Sequence, residues 1–215
     1  MLVKDVMSLN PVTVVLETTH KQASELMREH SIHHLPVLDK NGVVIGIVVE
    51  EDLLKAQPSS ATTLSIYEIH SLLSKLQIKE LMVAPAITVH PDYPLEEAAA
   101  VMLKHDIGCL PVIDGQNKLV GIITDTDIFR ALTRLLGGGK EGARFTLRVP
   151  DQPGILAQVA QAVANAGGNI ISATTWFDKE GRGYISIKEH GATFDQLKKG
   201  LGGVQAELVD LREKL

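Results

Sequence analysis

Apolar residues along the chain follow two periods, one typical of amphipathic helices and one typical of strands. In the first quarter of the chain, the helical period predicts a helix over 20–30, and strand-like runs occur around Thr13, at Val37-Leu38 and over 43–49. A further helix is expected to begin near Glu50. The resulting order is a βαββα unit whose sheet leaves one face half exposed.

The same pattern occurs again 75 residues further along the chain. Residues 3–56 align without a gap on residues 78–131, and Leu35-Pro36-Val37 falls on Leu110-Pro111-Val112. An internal repeat of this length indicates a duplicated structural unit. Two such units can bury their sheet faces by packing together around a pseudo-twofold axis.

A third segment has a different order of elements. Strands are predicted over 144–149, 169–177, 184–189 and 205–211, with helices over 154–166 and 194–201. This βαββαβ order is the ferredoxin-like plan. We therefore predict an α/β (α+β) chain with five segments: 1–57 (first copy), 58–77 (connector with a helix over 65–76), 78–136 (second copy), 137–142 (glycine-rich linker) and 143–215 (ferredoxin-like domain).

Composition narrows the classes of partner. Lys and Arg number 21 against 26 Asp and Glu, which gives a net charge of −5. A chain with this balance has no broad basic surface for a polyanion. Aromatic residues make up only 4% of the chain, so platforms for base stacking are scarce. We therefore expect no nucleic-acid partner.

Several motifs are missing from the sequence. Cys109 is the single cysteine, so an intrachain disulfide cannot form. The N-terminus has no leader-like pattern and no apolar run approaches about 18 residues, so we expect a cytoplasmic protein with no membrane partner. Metal-ligand motifs, a nucleophile elbow and a dinucleotide fingerprint are also missing. We therefore expect no catalytic residues, no catalytic cofactor and no metal site.

The second copy contains a motif of a known regulatory family. The run Gly121-Ile122-Ile123-Thr124-Asp125-Thr126-Asp127 follows a Leu-Pro-Val strand and resembles the cystathionine-β-synthase (CBS) domain. The two copies together are similar to the paired module of that family. The first copy departs from the motif, because Val49 stands at the position of the hydroxyl residue. The resemblance implies a cleft for an adenosine-containing ligand such as ATP, ADP, AMP or S-adenosylmethionine.

Thr124 and Asp127 carry the chemistry of that cleft. A carboxylate at the start of a helix can accept both ribose hydroxyls, and a hydroxyl three residues earlier can reach a phosphate or the ribose. The alternative that both residues only cap the helix stays open. The resemblance implies these nucleotide-binding residues: Ser8, Pro11 and Val12 from the other copy's first strand, Ile107 and Leu110 from the cleft wall, Thr124, Asp127, and Asp52 as their counterpart in the first copy.

Three histidines lie near the end of the first predicted helix. By the resemblance, His33 and His34 would contact a phosphate, whereas the second copy has Gly108-Cys109 at those positions. A metal ion shared with His30 and a solvated helix end are the alternatives. A strand must begin at Leu35-Pro36, so the helix ends near His30 and the later two histidines do not share its face.

Two loops of the third segment resemble the signature loops of ACT domains, namely 149–156 and Gly167-Gly168-Asn169-Ile170. ACT domains are mostly regulatory modules that bind amino acids or similar effectors. The chemistry of these loops fits such an effector: the helix start at Gly154 can take a carboxylate, and Asp151 with Asn169 from the adjacent loop can hold an ammonium or amide group. Ile170 completes the predicted effector site. A role in the turns alone, or in dimerisation, stays open.

Two CBS-like copies followed by an ACT-like segment resemble the acetoin-utilization protein B family over essentially all 215 residues. The resemblance implies a ligand-sensing regulator of acetoin or related carbon metabolism, acting on an unidentified partner protein. We expect a homodimer, because both modules have faces that a second copy can cover. The alternative function is an interaction scaffold with vestigial clefts, which Val49 favours.

Overall fold

A computed structural model describes residues 1–57 and 65–213, and the chain divides into two compact units, Met1–Ile128 and Phe129–Leu215. Residues 58–64, which belong to the predicted connector 58–77, lie outside the described residues. The helices are α1 (His20–His30), α2 (Glu50–Lys55), α3 (Ile66–Leu73), α4 (Leu95–His105), α5 (Asp125–Leu135), α6 (Ile155–Asn165) and α7 (Phe194–Leu201). The strands are β1 (Ser8–Leu9), β2 (Val14–Val15), β3 (His34–Leu38), β4 (Val44–Val49), β5 (Cys109–Ile113), β6 (Leu119–Thr124), β7 (Ala143–Val149), β8 (Asn169–Phe177), β9 (Gly183–His190) and β10 (Glu207–Arg212).

The first copy forms a three-stranded sheet in the order β2-β3-β4. β2 pairs in parallel with β3, and β3 pairs antiparallel with β4. Helix α1 begins at a capping box between Thr19 and Gln22 and ends at Ser31, which has a left-handed backbone. Its apolar face places Ala23 and Met27 in the buried core of this copy.

Each copy pairs its N-terminal segment with the sheet of the other copy, through β1 on one side and through a single bridging residue, Val83, on the other, and we call this the exchange of first strands. The second copy has the sheet order β1-β6-β5, so its edge strand comes from the first copy, with Ser8 opposite Ile122. In return, Val83 of the second copy bridges Ile47 on β4, and the two residues exchange backbone hydrogen bonds of 3.0 and 2.8 Å. Each sheet is therefore completed by residues of the other copy.

The second unit is a four-stranded antiparallel sheet in the order β10-β7-β9-β8, with helices α6 and α7 packed on it. Its core includes Phe145, Val159, Ile187 and Leu197. The glycine-rich segment 137–142 lies at the start of this unit. There the Ser172 hydroxyl donates a 3.1 Å hydrogen bond to the carbonyl of Leu136.

The predicted fold class is confirmed: the chain is a mixed α/β protein with two βαββα copies and a C-terminal βαββαβ sheet domain. One element is shorter than predicted. The strand that the repeat predicts around Thr88, the equivalent of Thr13, is a single bridge between Val89 and Val112. The next hydrogen bond of that parallel ladder would need an N–H at position 91, and Pro91 has none.

Candidate ligand-binding clefts

Thr124 and Asp127 lie at the junction of β6 and α5 and form hydrogen bonds with each other. The Thr124 N–H and hydroxyl both donate to Asp127 Oδ2, at 3.0 and 2.8 Å. The Asp127 N–H donates back to the Thr124 hydroxyl at 3.3 Å. Asp127 is 9% exposed. The pair therefore forms a capping interaction, and its polar atoms stand at the start of a helix.

The strand β1 lies directly beside this junction. Ser8 is exposed and pairs with Ile122, two residues before Thr124. A Cβ at Gly121 would lie 2.9 Å from the Ser8 carbonyl oxygen, so the close approach of the two backbones requires glycine at that position. The first strand of one copy thus borders the helix start of the other copy.

A cleft of about 590 Å³ surrounds the position of Asp52, which is equivalent to Asp127, in the first copy. Both copies contribute to its walls. From the first copy come His33, His34, Ile47, Val49, Glu50, Glu51 and Asp52, and from the second copy Val83, Pro85, Ala86, Ile87, His105, Asp106, Ile107, Gly108, Cys109 and Pro111. We call this space the Asp52 cleft.

Asp52 has fewer local partners than Asp127. Its Oδ2 accepts the Val49 N–H at 3.2 Å. Val49 has no hydroxyl, so the side-chain hydrogen bond that joins Thr124 to Asp127 has no counterpart in the first copy. The two helix starts therefore present different groups to a ligand.

His33 and His34 lie in the Asp52 cleft but in different surroundings. His33 is exposed and its Nδ1 is 2.7 Å from Glu50 Oε2. His34 is half-buried, and burial lowers the pKa of its imidazole, assisted by His33 and opposed by Asp125. A Cβ at Gly108 would lie 3.4 Å from both His34 Nε2 and Asp125 Oδ2. The described residues include no group of three His, Cys, Asp or Glu side chains placed to hold a metal ion.

Cys109 forms part of the wall behind these histidines. It is 5% exposed, and burial, with a further contribution from Asp125, raises the pKa of its thiol to about 12. The thiol is therefore protonated at neutral pH and contributes an uncharged, weakly polar surface.

The other predicted residues of the CBS-like pair occupy three kinds of position. Pro11 and Val12 follow β1 and are half-buried. Leu110 is completely buried in β5 and contributes to the core. Ile107, which was predicted to contribute to the Asp127 site, lines the Asp52 cleft.

Several wall residues of the Asp52 cleft are not among the binding residues predicted from the sequence. A signal for them was available, because the offset of 75 residues maps Ser8, Pro11 and Val12 onto the missed positions. These positions are Val83, Ala86 and Ile87. The acidic residues Glu51 and Asp106 were missed as well.

The predicted effector residues of the second unit are divided between two ends of its sheet. Val149, just before Asp151, pairs with Gly183, whereas Asn169 pairs with His190 at the other end of β9. The prediction that Asp151 and Asn169 lie on adjacent loops is therefore wrong within one chain. Helix α6 runs back along the sheet, and the length of β7 puts the two loops about 20 Å apart.

Each end of this sheet has its own surroundings. Asp151 lines an open groove of about 710 Å³ together with Arg148 and Arg182. Gly154 has a left-handed backbone, and the space beside it is open. At the opposite end, Asn169 Nδ2 lies 3.3 Å from His190 Nε2, and Ile170 is half-buried against the core.

Comparison with protein families identifies both modules. The CBS domain model matches residues 3–59 and 78–134, which together make up more than half of the chain. The chain belongs to the CBS-domain family. The CBS pair is followed by a match to the TTHA0829-like ACT domain over residues 139–212.

Solved structures of CBS pairs resemble this one. The CBS pair of protein MJ0100, in complex with 5′-methylthioadenosine and S-adenosyl-L-methionine, is 33% identical, covers 65% of this chain and 98% of its own, and has a TM-score of 0.53. CBSX2 in complex with AMP is 32% identical, covers 61% and 95%, and has a TM-score of 0.52. A Vibrio cholerae protein assigned to acetoin utilization (AcuB) is 37% identical, covers 64% and 93%, and has a TM-score of 0.53.

Curated relatives match over the CBS pair. L-aspartate semialdehyde sulfurtransferase of Methanocaldococcus jannaschii is 34% identical over 139 residues, which is 65% of this chain. The chain spans about a quarter of the length of that relative (24%). Within the described residues, no helix is both long and apolar enough to cross a bilayer.

Proposed function

We propose that this chain is a ligand-sensing regulatory protein whose CBS pair binds an adenosine-containing ligand. The observation that carries the proposal is the exchange of first strands, which sets the backbone of β1 beside Thr124 and Asp127 and residues 83–87 beside Asp52. Binding of adenosine ligands by the similar CBS pairs of MJ0100 and CBSX2 supports it.

The proposed chemistry uses the two aspartates as ribose readers. The Asp127 carboxylate, held by Thr124, would accept the ribose hydroxyls, and Asp52 would do the same in the first copy. Aliphatic side chains such as Val12 and Ile87 and the backbone of the exchanged strand would hold the adenine. A ligand that favours one packing of the copies would change the surface offered to a partner protein.

Isothermal titration with ATP, ADP, AMP and S-adenosylmethionine tests the proposal. At least one ligand should bind wild type, and Asp127→Asn or Asp52→Asn should weaken it about tenfold or more. Asparagine keeps the oxygen that caps the helix, so a loss of binding is separated from a loss of structure. Glu29→Gln is the matched control, because it also removes one negative charge but does so at an exposed position outside the cleft. Absence of binding heat with all four ligands would refute the proposal and favour the alternative of an interaction scaffold. Two structural observations support that alternative: Thr124 and Asp127 cap their own helix, and Val49 provides no hydroxyl.

For the ACT domain we propose an amino-acid-like effector bound between two copies of the chain. Asp151 and Gly154 lie at one end of the sheet and Asn169 and Ile170 at the other, so a ligand can meet both sets only in a homodimer. Light scattering with and without a panel of amino acids, on wild type and Asp151→Asn, measures the oligomeric state and its ligand dependence. A monomer at all concentrations would refute this part.

The regulated process is proposed to be acetoin or related carbon metabolism in the cytoplasm, through a partner protein and without catalysis by this chain. Similarity to the Vibrio cholerae acetoin utilization protein supports the metabolic assignment. Deletion of the gene should impair growth on acetoin as carbon source and leave growth on glucose unchanged. Equal growth of the deletion strain on both would refute the assignment.

A further inference from the structure

The Asp52 cleft has an unusual charge for a nucleotide site. Its lining contains four carboxylates: Glu50, Glu51, Asp52 and Asp106. Among the described residues that line it, none is Lys or Arg. The basic side chains among the described lining residues are three histidines: His33, His34 and His105.

Local partners reduce this negative charge only in part. Glu51 forms a 2.7 Å ion pair with Lys55, and Glu50 lies 2.7 Å from His33. Burial lowers the pKa of His34, so this imidazole is neutral at pH 7 and adds no positive charge. Asp52 interacts with Lys55 electrostatically without a close ion pair, and Asp106 forms no ion pair among the described residues. A phosphate in this cleft would therefore meet carboxylates at short range.

The helix start in this cleft also lacks two of the usual supports for a phosphate. Val49 replaces the hydroxyl that Thr124 provides at the equivalent position. The first turn of α2 carries Glu50, Glu51 and Asp52, whose negative charges oppose the partial positive charge of the helix start. A phosphate would gain neither a hydroxyl donor nor a favourable helix end.

The walls of the cleft suit an apolar or cationic group instead. Val83, Ala86, Ile87 and Ile107 supply aliphatic surface, and the protonated Cys109 thiol adds a polarizable one. Aliphatic surface favours a thioether, and the surrounding carboxylates favour a sulfonium ion.

We propose that the Asp52 cleft selects adenosine ligands whose 5′ substituent is uncharged or cationic, a nucleoside thioether or sulfonium, and rejects 5′-phosphorylated nucleotides. The inference rests on the proposed function, since it assumes that Asp52 binds a ribose. It adds the chemical class of the ligand and assigns selectivity to the charge of the cleft lining.

Isothermal titration of 5′-methylthioadenosine, S-adenosylmethionine, AMP and ATP, without divalent cations and at low salt, tests the selectivity. Wild type and Asp127→Asn are both titrated, so that the second variant reports the Asp52 cleft. On the Asp127→Asn background the thioether and the sulfonium should bind at least about tenfold more tightly than ATP. Adding Asp52→Asn should remove this binding.

Variants that remove negative charge from the cleft lining provide a second test. Glu51→Gln with Asp106→Asn should strengthen ATP binding about three- to tenfold and change 5′-methylthioadenosine binding less than about twofold. Asparagine tolerates the left-handed backbone of position 106, and Glu29→Gln is the control that should change neither affinity. AMP or ATP binding as tightly as the thioether, or an ATP affinity unaffected by the charge variants, would overturn the inference while the proposed function stands. Binding of none of the four ligands to wild type would overturn both.

Discussion

The hydroxyl of Thr124 donates a 2.8 Å hydrogen bond to the carboxylate of Asp127, and the equivalent pair in the first copy, Val49 and Asp52, cannot form this bond. The two copies therefore share one backbone plan and differ in the polar group at a helix start. This difference allows each copy to serve as a control for the other.

Substituting the residue of one copy by its counterpart from the other should change the free energy of unfolding in opposite directions at the two positions. Thr124→Val should lower the free energy of unfolding by about 1 kcal/mol, because the helix loses a hydroxyl that both donates and accepts. Val49→Thr should raise it by up to about 1 kcal/mol, since the Asp52 N–H would gain an acceptor. Urea unfolding followed by circular dichroism measures both. Two changes of the same sign would contradict this account of the cap.

The half-buried imidazole of His34 should make stability depend on pH. Burial lowers its pKa in the folded state below the usual value of 6.5, so the unfolded chain takes up a proton at higher pH than the folded chain. Its contribution is unchanged above pH 6.5, and stability is lost as pH falls from 6.5 toward the folded pKa. The urea midpoint of wild type should therefore fall more between pH 7.5 and 5.5 than that of His34→Gln. His90→Gln, an exposed histidine elsewhere, should behave as wild type; equal slopes for all three proteins would exclude the effect.

His20 joins α1 to the end of α2. It is 3% exposed, and its Nε2 donates a 2.8 Å hydrogen bond to the Leu53 carbonyl, while its buried Nδ1 has no partner among the described residues. The second copy has Leu95 at the equivalent position. His20→Ala should cost about 2 to 4 kcal/mol, because packing and the hydrogen bond are both lost. His20→Leu keeps the packing and should cost only about 1 kcal/mol; equal losses in urea unfolding would show that packing contributes nothing.

Gly168 makes room for a buried carboxylate in the second unit. A Cβ at this position would overlap the Glu189 carboxylate and lie 2.9 Å from Val163 Cγ1. Glu189 is completely buried, and its Oε2 accepts the Ala192 N–H at 3.2 Å. Gly168→Ala should therefore destabilise this unit by about 2 to 3 kcal/mol.

The fluorescence of Trp176, the single tryptophan and a residue of β8, measures unfolding of this unit in urea. Gly203→Ala is the matched control, because a Cβ there meets no atom within 4 Å. Adding Glu189→Ala to Gly168→Ala removes the overlap, so the double variant should lose less stability than the sum of the single variants. Strict additivity would show that the two residues do not collide.

The helices and the order of strands could be predicted because they depend on local pattern. The helix over 20–30 has an apolar face of helical period, a capping residue at Thr19 and a strand-forming Leu35-Pro36 soon after its end. These signals lie within a few residues of the element they define. The 75-residue repeat then carried each assignment from one copy to the other.

Contacts between distant residues could not be predicted in the same way. The approach of His34 to Asp125, and the position of Ile107 in the Asp52 cleft, depend on how the two copies pack. The separation of Asp151 from Asn169 depends on the direction of α6 between two strands. This separation, unlike the other two, could have been predicted from the ferredoxin-like order, because β7 and β8 are parallel strands and the crossover helix between them returns the chain to the opposite end of the sheet.

The exchange of first strands makes the two copies an intramolecular domain swap. A single copy on its own would leave the β4 or β6 edge open, and it could complete its sheet only by pairing this edge with the first strand of another molecule. Residues 58–77 tether the two copies, so the exchange occurs at a fixed effective concentration and not at the concentration of the protein in solution. Cutting this tether would turn an intramolecular equilibrium into a bimolecular one, and the clefts would then assemble only above a threshold concentration.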